Sequence, residues 1–422
     1  MNRIKMISKE DIESVDPREL MRKTYGDRYL WLIVIALTMI SCLTIYSSTG
    51  TLAYKYNKSN EHYLIQQLAF VFVGLGLMYV AHLVHYKFYS RFAQLLLFLT
   101  IPLLLYTLIF GSHVNDASRW IRIPLIGLSF QTSDLAKLAL IMYSARMLSK
   151  KQEVIKDFKK AFIPIMWPVV VVCLLIVPAN LSTAAILFMT SMVLLFIGRI
   201  NMKHLAAMAG VGIMALVLFI LVAKMVGFKG RIETWENRIK SFSSKDKTEV
   251  PFQVQQANIA LVKGGTLGVG PGNSTQRNFL PHPYSDFIYA VIVEEYGLFG
   301  ALLIVVLYLF FLFRCIRIFI KCPGAFGAFL AVGLGFALTI QAFMHMAVNV
   351  HLMPVTGVTL PFISMGGTSL IFTSLATGII LSVSKNVEQL EGDRVLAELE
   401  AEAAAKAVVD STEEQAAQPA IA

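Results

Sequence analysis

The chain has 422 residues, of which 56% are hydrophobic and 15% are charged, and its formal net charge is +10. Soluble globular proteins carry about 25% charged residues, so this composition excludes a soluble enzyme with a few membrane tethers. About 20 apolar residues cross a bilayer as one helix, and the chain is long enough to cross many times. The basic residues are spread over the loops, where they orient helices, which disfavours nucleic acid as a partner.

The hydrophobic pattern predicts an all-α polytopic membrane protein with about ten transmembrane helices. The apolar segments lie near residues 29–48, 64–83, 93–110, 135–148, 161–177, 182–198, 205–227, 287–313, 326–350 and 369–383. The fourth is short and is expected to gain length from residues 130–134. This divides the chain into an N-terminal tail at 1–28, a membrane domain at 29–384 and a C-terminal tail at 385–422.

The distribution of basic residues predicts the orientation of these helices. With the N-terminus inside, the four inner loops hold twelve Lys and Arg residues, and the four short outer loops hold four. Basic residues concentrate in cytoplasmic loops, so both termini are expected in the cytoplasm. A large loop at 228–286, between the seventh and eighth helices, then lies on the outer side.

The outer loop contains one predicted helix and one glycine-rich stretch. Val254, Ala257 and Leu261 share a helical face, which predicts a half-buried helix on the membrane surface. The glycines at 264–272 predict a flexible stretch, without the Gly-Lys-Ser/Thr of a nucleotide-binding loop. The C-terminal tail has nine acidic residues against three basic ones, and we expect it to be disordered or a solvated helix.

Three carboxylates mark the start of the eighth helix. Asp286 lies at its outer end, where it serves either as a helix N-terminal charge or as a general base at the edge of a cavity. Glu294 and Glu295 follow two turns deeper in the apolar segment. Ionisable groups at this depth are costly and therefore candidates for function, although pairing with a basic residue explains them equally well.

Two basic residues before and within the fourth helix are candidates for binding phosphate. Arg119, beside Trp120, can bind phosphate through two hydrogen bonds, or its head group can simply reach the membrane interface. Lys137 can supply a point charge, but Asp134 stands three residues earlier on the same helix and is an equally good partner.

The outer segment 353–368 has no charged residue although two apolar helices flank it. Irregular backbone at membrane depth is tolerated where it is buried in protein or lines a cavity. This predicts a re-entrant loop whose Thr356, Ser364, Gly366 and Gly367 meet a polar substrate; a tight turn is the alternative.

Taken together, these segments resemble the SEDS family (shape, elongation, division and sporulation). The matching segments are Ser118-Arg119-Trp120-Ile121, Phe130-Gln131, Ser133-Asp134-Leu135-Ala136-Lys137, Gly264-Gly265, Gly268-Val269-Gly270, Ser285-Asp286-Phe287-Ile288, Glu294-Glu295-Tyr296-Gly297 and Pro354 through Thr368. The resemblance covers roughly residues 25–385. Two positions depart from the usual pattern: Ala179-Asn180 replaces Pro-Asp, and Thr132-Ser133-Asp134 replaces Pro-Ser-Glu.

The resemblance implies a peptidoglycan glycosyltransferase that polymerises lipid II at the outer face of the cytoplasmic membrane. Undecaprenyl pyrophosphate is then the leaving group, Asp286 matches the candidate catalytic aspartate, and Arg119 and Lys137 match basic positions facing the cavity. A divalent cation, Mg or Mn, is possible. The segments 270–274, 279–281 and Ser285 are more similar to the division branch of the family. That branch implies septal synthesis with a class B penicillin-binding protein and other septal proteins as partners.

Three other functions remain open at this stage. A lipid II flippase would show ionisable residues near the bilayer midplane, whereas the candidate charges here cluster toward the outer face. A scaffold for the septal transpeptidase would tolerate the loss of Asp286. The elongation polymerase of the same family would share the chemistry but assemble with different partners.

Overall fold

The computed structural model describes residues 26–114, 117–122, 129–225, 238, 242 and 251–416. Of these, the residues that fall within 112–119, 122–129, 223–224 and 402–416 are described by their backbone alone. In order, the helices are α1 (Arg28–Ser48), α2 (Gly50–Lys55), α3 (Asn60–Leu83), α4 (Tyr86–Phe110), α5 (Thr132–Lys150), α6 (Ile163–Ile176), α7 (Leu181–Ile197), α8 (Met202–Met225), α9 (Phe252–Gly264), α10 (Ile288–Lys321), α11 (Ala325–Asn349) and α12 (Thr368–Ala416). A π-helical turn, Phe158–Phe162, leads into α6.

The structure confirms the predicted class of polytopic α-helical membrane protein. Among the described residues, eight helices are long and apolar enough to span a bilayer, and every predicted apolar segment falls on a helix. Of the remaining two segments, α7 is apolar but has only 17 residues. The other, α5, carries Asp134, Lys137 and Arg146 along its length. As expected, α5 gains its first turn from Thr132–Asp134.

The outer segment before α5 differs from the all-α expectation. Strands β1 (Ser112–Val114), β2 (Ala117–Arg122) and β3 (Ser129–Gln131) form a small antiparallel sheet in the order β1-β2-β3. In its register Trp120 pairs with Gln131, one residue before α5 begins. Strands this short carry too few alternating residues to be recognised in the sequence, so only their pairing reveals them.

The core of the bundle is built around α5, α10, α11 and α12. Most of α11 is buried, α12 packs against α3, and α10 packs against both α11 and α9. A Cβ atom at Gly378 of α12 would collide with the backbone oxygen of Met78 in α3, so glycine permits this close approach. At the start of α7, Asn180 accepts a hydrogen bond from Thr183 N at 3.3 Å and caps the helix.

The glycine-rich stretch after α9 is packed against α10, which corrects the expectation that it is flexible. Val269 N donates to Glu294 O at 2.9 Å and Gly270 N donates to Glu295 O at 3.0 Å. Gly297 has φ of 64° and interrupts the helical dihedrals of α10 where the stretch crosses it. These glycines allow close backbone contact, because a Cβ at Gly268 would overlap Glu295 O.

Two further segments are helical, one toward the end of the large loop and one at the C-terminal end of the chain. As predicted, α9 has one buried face: Val254 and Ala257 lie on it together with Ala260, while the predicted Leu261 is half-buried. The C-terminal tail, expected to be disordered or a solvated helix, continues α12 without a break as far as Ala416. Lys321 of α10 pairs with Glu391 of this extension at 2.7 Å. Helix propagation adds one hydrogen bond per residue, which favours extending an already formed helix into an Ala- and Glu-rich tail.

Candidate functional site at the N-terminal end of α10

A polar cavity of about 520 Å³ opens where α10 begins. Its wall includes four residues of the loop before α10, His282, Tyr284, Ser285 and Asp286, together with Gly357, Thr359 and the residues at 365–369. Trp120 of β2, Gln131 of β3 and residues of α2 and α3 complete the described lining. The cavity therefore gathers segments that are more than 300 residues apart in the sequence.

Asp286 is half-buried in this wall, and both of its carboxylate oxygens have defined neighbours. Ser285 Oγ donates to Asp286 Oδ1 at 3.0 Å. On the other side, a Cβ atom placed on Gly357 would lie 3.5 Å from Asp286 Oδ2. Gly357 has φ of 65°, a backbone conformation that disfavours larger residues, so the carboxylate faces bare backbone there.

The loop that carries Asp286 is anchored to the segment 353–368. Met365 N donates to Tyr284 O at 2.9 Å, and Ser364 Oγ donates to Ser285 O at 2.8 Å. The same Ser364 oxygen accepts from Leu360 N at 2.8 Å. The predicted re-entrant segment therefore forms one structural unit with the Asp286 loop.

The predicted binding residues of this segment separate into two groups. Gly366 and Gly367 line the cavity, as expected of residues that meet a substrate. Ser364 is buried and engaged with backbone atoms, while Thr356 is buried and is not part of the described cavity lining. Because Thr359 lines the cavity instead, this part of the segment presents other side chains than those predicted from the sequence.

The titratable groups around Asp286 come from two parts of the chain, Arg238 of the large loop and the Asp286 loop itself. Burial lowers the pKa of Arg238, and the nearby Asp286 carboxylate opposes this shift, so the two groups attract each other. Arg238 Nη1 also donates to Val355 O at 3.0 Å. Burial raises the pKa of Tyr284, and the Asp286 charge is a further cause. His282 lines the same cavity, and its Nδ1 lies 3.0 Å from Tyr284 Oη.

Lys137 lies beside the main cavity rather than in its wall. Its Nζ is 2.8 Å from Asp134 Oδ1 and donates to Gln341 Oε1 at 3.0 Å. Lys137, Asp134 and Gln341 line a separate pocket of about 40 Å³, and Ser369 belongs to both spaces. The ion pair considered from the sequence is therefore present, and its pocket shares the lining residue Ser369 with the cavity.

Glu294 and Glu295 have structural partners and do not line the cavity. Glu294 is fully buried and accepts hydrogen bonds from Ser274 Oγ, from the backbone and hydroxyl of Thr275 and from Gln276 N. Glu295 accepts from Ser47 Oγ of α1. The expectation of a basic partner from a neighbouring helix is met indirectly: Arg277 Nη1 donates to Ser47 Oγ at 2.9 Å and to Ser47 O at 2.7 Å, so Ser47 links Arg277 to Glu295.

The two remaining predicted residues lie in β2. Trp120 lines the cavity, next to Gln131 of the adjacent strand. The backbone of Arg119 belongs to the same strand, but its side chain lies outside the described part of the chain.

Comparison with known proteins identifies the family. A family model described as cell cycle protein, which groups FtsW, RodA and SpoVE, matches residues 27–389. The chain belongs to this family. Its relatives include a probable peptidoglycan glycosyltransferase FtsW of Geobacter sulfurreducens, 34% identical over 86% of this chain and 96% of the relative. The stage V sporulation protein E of Bacillus subtilis is 33% identical, over 86% of this chain and 98% of the relative.

Solved structures share the fold of this FtsW/RodA/SpoVE protein. A chain from a peptidoglycan synthase complex that coordinates polymerization and crosslinking superposes with a TM-score of 0.66, covering 86% of this chain and 98% of that chain. The rod shape determining protein RodA of Thermus thermophilus gives a TM-score of 0.62, over 86% of this chain and 97% of RodA. Both are 23% identical to this chain, so they establish the fold alone.

The described residues of this family member form no dedicated metal cage. Among them, no three His, Cys, Asp or Glu side chains are grouped so that they could hold a metal ion. Within the described cavity lining, Asp286 is the one carboxylate. A Mg or Mn ion at this site would therefore take most of its ligands from substrate phosphates and water, a common arrangement for Mg²⁺.

Sequence reasoning missed several residues of the site. His282, Tyr284, Gln131 and Thr359 line the cavity without belonging to the predicted set. Asn349 and Gln341 of α11 lie behind it. A usable signal existed for these last two, because they stand eight residues apart with His345 midway, on one face of an otherwise apolar helix.

Proposed function

We propose that this protein is a peptidoglycan glycosyltransferase that polymerises lipid II into glycan strands. The observation that carries the proposal is the single described carboxylate, Asp286, in the wall of a 520 Å³ polar cavity at the end of a membrane helix. A lipid-linked sugar substrate needs such a site, because its sugars require a polar cavity while its tail stays in the membrane. Relatives named as probable peptidoglycan glycosyltransferases support the same activity.

In the proposed reaction, the 4-hydroxyl oxygen of one disaccharide bonds to the anomeric carbon of another. The bond from that carbon to the pyrophosphate oxygen breaks, and undecaprenyl pyrophosphate leaves with the electron pair. Asp286 takes the proton of the attacking hydroxyl as general base, a role that contributes about 10²–10⁴-fold to such reactions. Ser285 holds one oxygen of the carboxylate, and the cavity that Asp286 lines leaves room for the acceptor sugar.

The leaving pyrophosphate needs positive charge, and we assign this role to Arg119 and Lys137. Lys137 reaches the cavity past Ser369, which borders both spaces. To contact a phosphate, Lys137 gives up its hydrogen bond to Gln341 and either keeps or breaks its ion pair with Asp134. Until then, these two partners keep its ammonium group beside the site. Gly366 and Gly367 leave the segment before α12 narrow enough for the substrate to approach its backbone.

We further propose a role in septal wall synthesis during cell division, in the cytoplasmic membrane and with both termini in the cytoplasm. The partner would be a class B penicillin-binding protein acting as transpeptidase, alongside other septal proteins. Relatives named FtsW support the division role, and a solved relative belongs to a complex of polymerization and crosslinking. An elongation role is the alternative, since RodA shares the fold.

The test is polymerisation of purified lipid II by the protein with its transpeptidase partner, with transpeptidation blocked and glycan chains resolved on a gel. Asp286→Asn is expected to lower the rate at least about 10²-fold, because an amide cannot accept the proton. The matched control is Asp157→Asn, the same exchange at an exposed residue that caps the turn before α6.

Normal glycan synthesis by Asp286→Asn would remove this residue from the mechanism. Absence of chains from the wild-type complex, shown intact by size-exclusion chromatography, would instead favour the flippase or the scaffold. A flippase would transfer fluorescent lipid II across vesicle membranes without forming chains. A scaffold would retain partner binding and transpeptidase activation in the Asp286→Asn variant.

A further inference from the structure

The helix that follows Asp286 begins with an unusual hydrogen-bond arrangement. Its first regular bond joins Val291 N to Phe287 O at 3.2 Å. One residue earlier, the equivalent pair is Asp286 O and Ala290 N, four residues apart. These two groups are bridged by the side-chain amide of Asn349 in α11: Nδ2 donates to Asp286 O at 3.1 Å, and Oδ1 accepts from Ala290 N at 3.1 Å.

The Asn349 amide is fully used and fully enclosed. Its side chain is 1% exposed, and its second N–H donates to His345 O at 2.8 Å. Two carbonyl oxygens on one side and a backbone N–H on the other fix the orientation of the amide, since the reverse orientation would place like groups together. Asn349 thus occupies the position of a helical hydrogen bond that the backbone would otherwise make itself.

This bridge determines where α10 starts. Without it, Asp286 O and Ala290 N can bond directly and extend the helix by one residue, so that Asp286 becomes the N-cap and Phe287, now at φ of −120° and ψ of 19°, takes helical dihedrals. Because Asp286 directly precedes Phe287, this change in the Phe287 dihedrals turns Asp286 relative to α10 and redirects its carboxylate away from Gly357 and the cavity. The bridge therefore separates the backbone of Asp286 from the helix and keeps its side chain in the cavity wall.

We infer that Asn349 is the positioning residue of Asp286, which holds the proposed base in its productive orientation without contacting the substrate. This inference rests on the proposed function, in which Asp286 is the base. Support comes from the same face of α11, where Gln341 Nε2 donates to Thr359 O at 2.9 Å and His345 Nδ1 lies 2.7 Å from Val358 O. This face of the helix holds both the Asp286 loop and the segment opposite it.

The inference makes a specific kinetic prediction. Asn349→Leu has a similar volume and removes both halves of the bridge, while Asn349→Asp keeps the acceptor for Ala290 N and loses the donor to Asp286 O. Both variants are expected to lower kcat for lipid II polymerisation by about 10–100-fold with KM within about threefold, because misplacement of a catalytic group by about 1 Å costs about 10²-fold. Asn349→Asp is nearly isosteric, so a folded protein is available even if Asn349→Leu fails to fold.

The control is Thr190→Val, which removes a buried hydroxyl bonded within α7 to Ile186 O at 2.8 Å, away from the cavity. Polymerisation rates at varied lipid II concentration, together with thermal unfolding in detergent, are measured for all variants. The inference is supported if kcat falls in the Asn349 variants while their KM and Tm equal those of the control. Unchanged kcat, or a loss that only follows a fall in Tm or a rise in KM, overturns it.

An Asp286→Asn arm separates this inference from the proposed function. If Asp286→Asn is inactive and the Asn349 variants have normal kcat, the base assignment survives and the positioning role is wrong. If Asp286→Asn polymerises at the full rate, Asp286 is not the base, and the positioning role that depends on it is overturned as well.

Discussion

Asp286 and Glu294 lie eight residues apart at the same end of one helix, yet their surroundings differ in kind. Glu294 is fully buried and receives hydrogen bonds from three consecutive residues, 274–276. Asp286 is half-buried beside a large cavity and receives a side-chain hydrogen bond from its own neighbour Ser285. A carboxylate whose acceptor capacity is used by protein donors stabilises the fold, whereas one that faces space retains lone pairs for a substrate.

The comparison predicts that replacing Glu294 mainly lowers stability, whereas replacing Asp286 mainly lowers activity. The larger effect on stability therefore belongs to Glu294. Glu294→Ala leaves the donors of the buried residues Ser274 and Gln276 without their acceptor, at about 1–3 kcal/mol for each buried group left unsatisfied. We therefore expect a loss of at least about 2 kcal/mol in unfolding free energy, seen as a lower Tm in detergent. Equal Tm for Glu294→Ala and Asp286→Asn would contradict the distinction between them.

Lys137 tests the intermediate case, a charged group that is paired and also borders the cavity. Lys137→Met leaves Asp134 buried without its partner, and we expect both lower stability and a 10–100-fold lower kcat/KM for lipid II. The double variant Asp134→Asn, Lys137→Met removes both charges. It should recover Tm but remain slow, because the phosphate still lacks its cation. Recovery of the rate along with Tm would make Lys137 purely structural.

Ser285 should give the smallest effect. Ser285→Ala removes the hydrogen bond to Asp286 Oδ1 but keeps the backbone oxygen that accepts from Ser364. A hydrogen bond to a charged group contributes about 1.5–3 kcal/mol at most, and water in the cavity can replace part of it. We expect a three- to tenfold lower kcat with little change in Tm. The control is Ser382→Ala, which removes a hydroxyl that donates to Val84 O, between α3 and α4. This variant should polymerise lipid II at the wild-type rate.

Much of the fold was predictable because membrane helices have a strong sequence signal. The period and length of the apolar segments gave every long helix, and charge-free segment 353–368 indicated backbone enclosed by protein. The sheet at 112–131 was missed, since its strands are short and its pairing depends on tertiary contacts. The glycine stretch was misjudged as flexible because glycine serves mobile loops and tight contacts alike, and only the neighbouring backbone of α10 distinguishes them.

The sequence by itself determined the class of the protein, the positions of its helices and the location of Asp286 where a membrane helix begins. These follow from local properties, namely hydropathy, periodicity and the order of motifs along the chain. The tertiary structure alone decided which polar groups face the cavity. Glu295 meets Ser47, Lys137 meets Gln341, and Asn349 meets Asp286, all across distances in sequence of 60 residues or more. Helical periodicity gives the face on which a side chain lies but not its neighbour, and the neighbour determines whether a buried charge supports the fold or remains free to act.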